Sequence, residues 1–176
     1  MIQRILCPVN FAASSKRGIA YALSVAKENN AQLIIFHATT FPSFVHYQGE
    51  LEGFYQWERL LAEFKVDHVL AEAELKLTNF VRSTLREGAE GVAWKTRVGL
   101  GKVPEEILAA ALREEVDLVV LARSEKPTLA RLFTRSISEA VSKGASCPVV
   151  TIGITRAISD SRAWRVPAFR EILQSS

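Results

Sequence analysis

Four basic residues, Arg123, Lys126, Arg131 and Arg135, stand within residues 123–135 and lead into Ser136-Ile137-Ser138-Glu139. Guanidinium and ammonium groups pair with phosphate and carboxylate oxygens. A Ser-x-x-Glu pattern marks a helix start, where unpaired amides and the helix dipole also favour anions. The segment follows the apolar run DLVVL at 117–121. A strand, a loop and a helix start in that order form the place where α/β proteins hold phosphate. Such loops usually carry glycine, which lets backbone amides approach the ligand, and this one has none. The candidate anion site therefore comprises Arg123, Arg131, Arg135 and Ser136. Asn10, at the end of the first apolar run, joins them as the facing candidate. The simpler reading keeps Ser136 and Glu139 as a helix cap, with the arginines solvated or paired to Glu125.

Other constellations carry less. GLGK at 99–102 lacks the Ser or Thr that must follow a phosphate-loop lysine, because Val103 stands there, and it reads as a strand-to-helix turn. His37, His46, His68 and Cys7 match no zinc spacing, so no metal site is expected. Glu105 and Glu106 open a helix, where the dipole favours them. No Gly-x-Ser-x-Gly or His-Glu-x-x-His occurs, and no carboxylate pair is placed for acid–base work. No constellation argues for catalysis, although weak nucleotide hydrolysis stays open. The aromatics Phe41, Phe44, Tyr47, Phe54, Tyr55 and Trp57 read as a loop packed on a helix, or as a partner surface.

The elements that would position these residues follow from hydrophobic period. Residues 3–9, 32–38, 92–98, 117–121 and 147–153 read as strands. Helices are expected over 14–29, over 50–87 as one or two pieces closed by Gly88, over 103–115, and from Ser136 to about Gly144. Strict alternation of continuous apolar strands with helices predicts a doubly wound, five-stranded parallel sheet with helices on both faces. Ligands in such sheets bind at the carboxyl ends of the strands, near the switch point. That selects residues 10–15 and 122–136. One domain over 1–153 is expected, followed by a tail at 154–176 with a short helix in VPAFREIL.

Composition is that of an ordinary globular chain: 176 residues, 48% hydrophobic, 23% charged, net charge +3. Basic and acidic residues interleave, which argues against a nucleic-acid partner. No apolar run reaches the length of a membrane span, and the first residues lack a signal-peptide layout. A cytoplasmic location with two reduced, buried cysteines, Cys7 and Cys147, is the expectation.

Three stretches together resemble the universal stress protein family: RILCPVNFAASSKRGIAYALSVAK at the first strand and helix, VGLGKVPEEILAAALREEVDLVVLARS before the fourth loop, and RSISEAVSKGASCPVVTI. The resemblance covers residues 1–152. It implies a Rossmann-like fold of the adenine nucleotide alpha hydrolase type, a role in stress response, and a homodimer. Many members bind ATP through Gly-x2-Gly-x9-Gly-Ser/Thr after the fourth strand. Those positions here are Ala122, Glu125, Arg135 and Ser136, so only the serine is kept. The Asp-Gly-Ser that usually ends the first strand reads Asn10, Phe11 and Ala12. The chain thus resembles the branch with a degenerate ATP motif, in which no cofactor is expected and tight ATP binding is disfavoured. Open alternatives are a nucleotide held through an arginine-rich loop, a small anion, and a protein partner bound through 41–57. The apolar fifth strand, Val149, Val150, Thr151 and Ile152, would be a liability if exposed, and it is the expected dimer interface.

Overall fold

The computed structural model describes residues 1–40, 66–85, 88–123 and 129–153, with the backbone alone over 129–136. The elements in chain order are β1 (Arg4–Pro8), α1 (Ala13–Asn29), β2 (Gln32–Thr39), α2 (Val66–Thr84), β3 (Trp94–Leu100), α3 (Val103–Arg113), β4 (Leu118–Ala122), α4 (Leu129–Gly144) and β5 (Val149–Ile152). The strands form one sheet in the order β3-β2-β1-β4-β5, and every neighbouring pair is parallel. The order reverses between β1 and β4. Their carboxyl ends therefore diverge into a crevice at Pro8 and Ala122.

Side chains alternate across the sheet, and each set meets its own helices. Ile5, Cys7, Leu33, Ile35 and Val120 pack with Ile19, Ala22 and Ala26 of α1 and Leu77 and Val81 of α2. Leu6, Ile34, Phe36, Val119 and Leu121 pack with Ile107 and Ala110 of α3 and Val141 of α4. Both faces are covered, which is why the strands are apolar throughout. Cys7 lies fully buried in the first layer, and burial pushes its thiol up to about 12. Gly18 sets the approach of α1: a β-carbon there would stand 3.0 Å from the Ala122 methyl. The tip of β4 and the first turns of α1 are thus fixed to each other.

Several boundaries depart from the sequence reading. First, α4 begins at Leu129, seven residues ahead of the expected start at Ser136. The run LARLFTR consists mostly of good helix formers and contains neither Gly nor Pro, so helix propensity outweighs the capping pattern. Second, α2 ends at Thr84, and Gly88, with φ of 102°, falls in the following turn instead of closing the helix. Third, β3 lies two residues later than expected, because β2 continues to Thr39 and pairs Ala38 with Gly99 and Thr39 with Leu100. The aromatic stretch at 41–57, the expected helical positions between 50 and 65, and the tail at 154–176 lie outside the described residues. Among the described residues, no helix is long and apolar enough to cross a membrane.

Candidate functional site

The crevice at the switch point holds a pocket of about 140 Å³. The end of β1 supplies Pro8, Val9 and Asn10, α1 supplies Ser15, and β2 supplies His37 and Ala38. Leu121, Ala122 and Arg123 come from the end of β4, and Thr151 from β5. Val103 and Ile107 of α3 and Ile137 and Ser138 of α4 close the other side. The walls are mainly aliphatic. Arg123 is the one charged residue among the described residues that line it.

The turn from β1 into α1 is held from within. The Asn10 amide donates to Ser15 Oγ at 3.1 Å, and Ser15 Oγ donates back to Asn10 Oδ1 at 2.9 Å. Asn10 Oδ1 also accepts from the Ala12 amide at 3.2 Å. Both acceptor directions of the Asn10 carbonyl are thereby occupied by the turn itself. Ala12, the N-cap of α1, offers no side-chain cap, so Asn10 and Ser15 organise the loop instead.

Phe11 sits between them in the left-handed region, with φ of 61°. That conformation costs a side-chain-bearing residue about 1–2 kcal/mol. The ring compensates: its centroid lies 4.3 Å from that of His37 and 5.4 Å from that of Phe80, the latter edge to face. Each such contact contributes about 0.5–1.5 kcal/mol, enough to offset the strain. His37 is fixed in turn, since its Nδ1–H donates to the Val9 carbonyl at 2.9 Å. Burial lowers the His37 pKa and the nearby Lys76 charge adds to this, while the Val9 hydrogen bond opposes both. A neutral imidazole at pH 7 follows.

The structure brings Asn10, Arg123 and Ala122 to the pocket. Arg123 is anchored by its backbone amide to the Ile152 carbonyl at 2.8 Å and makes no ion pair with a described acid. Ser136 and Arg135 lie two turns inside α4, and Arg131 lies near its start. The amides that a helix start at Ser136 would have left free are therefore in the helix interior. The expected helix start at Ser136 is thereby corrected to Leu129. Glu125 and Lys126 lie outside the described residues, as do the side chains of Arg131, Arg135 and Ser136.

Ser15 falls within the selected segment 10–15, whereas sequence reasoning missed His37, Ile107, Ile137 and Ser138 as lining residues. Ser138 had a usable signal: it stands three residues before Val141, on the inward stripe of the helix, where a polar side chain is unusual. Thr151, expected at a dimer edge, also faces the pocket. GLGK joins the end of β3 to the start of α3, as expected of a strand-to-helix turn. A β-carbon at Gly99 would meet Phe36 Cζ at 2.9 Å and the Glu106 carboxylate, and one at Gly101 would meet Glu106 Oε1 at 2.8 Å. Those glycines make room for Glu106 on the first turn of α3. No group of three His, Cys, Asp or Glu among the described residues could hold a metal.

A parallel sheet in this order, with its crevice between β1 and β4, defines a doubly wound α/β protein by architecture. A sequence model of the universal stress protein family matches residues 1–153, and the chain belongs to that family. It is 26% identical over 152 residues to Universal stress protein MJ0531 of Methanocaldococcus jannaschii, covering 86% of this chain and 82% of the relative. Among solved structures it resembles hypothetical protein MJ0577, with a TM-score of 0.66, 21% identity, and 89% and 99% of the two chains covered. It also resembles a universal stress protein in complex with cAMP, with a TM-score of 0.56, 15% identity, and coverage of 86% and 97%. At these identities the structural likeness establishes the fold.

Proposed function

We propose that this universal stress protein family member is a non-catalytic regulatory protein of the stress response, acts as a homodimer, and does not bind ATP tightly. One observation carries the reading. The polar groups of the turn that would face a nucleotide are engaged with one another: Asn10 is bonded to Ser15 and Ala12, and Phe11 stands where ATP-binding members are expected to carry glycine. Ala122, Glu125 and Arg135 at the other expected glycine positions point the same way. A related structure is a complex with cAMP, so the family architecture accommodates nucleotides in at least that protein. One feature favours a second reading, a nucleotide held through an atypical loop: Arg123 lines the pocket. Native mass spectrometry of freshly purified protein separates the two. The first reading predicts a mass without retained nucleotide. A stoichiometric nucleotide adduct supports the second.

A further inference from the structure

The pocket measures about 140 Å³, and Arg123 is the one charged residue among the described residues that line it. Pockets for nucleotide-sized and drug-sized molecules run to about 300–1,000 Å³. An apolar cavity of about 150 Å³ holds one benzene ring. At about 140 Å³, the crevice between β1 and β4 belongs with the latter. Val9, Leu121, Ile107 and Ile137 offer an aliphatic cradle for a flat or branched apolar body. Arg123 stands on the same lining, with no described acid among the lining residues to neutralise it.

Resting on the non-nucleotide reading above, we infer that the pocket binds a small carboxylic acid with an apolar body, of about the size of benzoate. The carboxylate pairs with the Arg123 guanidinium and the body lies against Leu121 and Ile137. A guanidinium matches a carboxylate through two parallel hydrogen bonds. The neutral His37, with Nδ1–H held by Val9, adds no competing charge.

The test titrates methyl-labelled full chain with sodium benzoate, benzyl alcohol and AMP at fixed ionic strength, following the Val9, Leu121 and Ile137 methyl signals. Benzoate is expected to shift these methyls and to bind about five- to tenfold more tightly than benzyl alcohol. Arg123→Gln should remove that advantage while benzyl alcohol binding persists. Ile137→Phe, which fills the pocket, should abolish both. Equal affinity for the two probes, an advantage that survives Arg123→Gln, or no benzoate response overturns the inference. AMP silence alongside such a failure leaves the non-nucleotide reading standing. Micromolar AMP binding at the same methyls overturns that reading itself.

Discussion

The ring of Phe11 rests on the imidazole of His37 with centroids 4.3 Å apart, and it does so from a left-handed backbone. Strain and stacking are thus placed on one residue, and substitution separates them. Phe11→Ala keeps the strain and loses both ring contacts. Phe11→Gly loses the contacts but relieves the strain. Glycine is expected to be the more stable variant by about 0.5–1 kcal/mol, after its extra freedom in the unfolded chain is deducted. Urea unfolding of the pair measures this, and an alanine variant as stable as the glycine variant would contradict it.

Ser15 is 2% exposed and serves Asn10 twice, as donor to its side chain and as acceptor from its amide. Removing the hydroxyl leaves both groups without that partner. Ser15→Ala should cost about 1–3 kcal/mol in equilibrium unfolding. A loss below a few tenths would show that the turn does not depend on this pair.

The strands were legible in the sequence because a sheet covered on both faces writes continuous apolar runs, as in RILCPV and QLIIFHA. Parallel pairing and the switch point followed from alternation with helices. The start of α4 was misread because Ser136 and Glu139 repeat a cap pattern inside a run that helix propensity carries from Leu129. The pocket was half legible. Asn10 and Arg123 stand at strand ends, where position alone nominates them. Ser138 and Ile137 face the crevice only once the helix phase is set by packing Val141 on the sheet. The Phe11–His37 contact joins residues from two strand ends, and no local spacing announces it. The left-handed φ at Phe11 was likewise hidden, since an aromatic residue is a poor signal for it.

Acid sensitivity should come from the opposite end of the sheet, at the amino ends of its strands. Asp117 accepts from the Gln3 and Arg4 amides at 2.7 and 2.9 Å, and the Gln3 bond is the main cause of its lowered pKa. Glu114 pairs with Lys95 at 2.6 Å and Arg97 at 2.7 Å, and the Lys95 bond chiefly lowers its pKa. Both carboxyls are depressed in the folded state, so their contribution is complete above the ordinary values of 4.5 and 3.8 and is lost as pH falls below them. Melting temperature should therefore fall on acidification below about pH 4.5, and Asp117→Asn should flatten that dependence. An unchanged acid limb in this variant would remove Asp117 from the account.

The proposed dimer uses the free edge of β5. The Pro148 and Ile152 carbonyls bond to β4 through Val119 and Arg123. By strand alternation, the Val149 and Thr151 backbone groups point to the outer edge. Val149→Pro removes one outward amide at the first residue of the strand, where proline is tolerated. Sedimentation should show a folded monomer in place of a dimer. An unchanged dimer would exclude the β5 edge as the interface.

Calorimetric titration with Mg-ATP tests the central claim most directly, because it asks whether a turn in which Asn10 and Ser15 bond each other and Phe11 replaces glycine can still hold a nucleotide. No binding heat is predicted at protein concentrations where a Kd of about 10 μM, near −7 kcal/mol, would be evident. A stoichiometric isotherm with micromolar affinity would contradict the account.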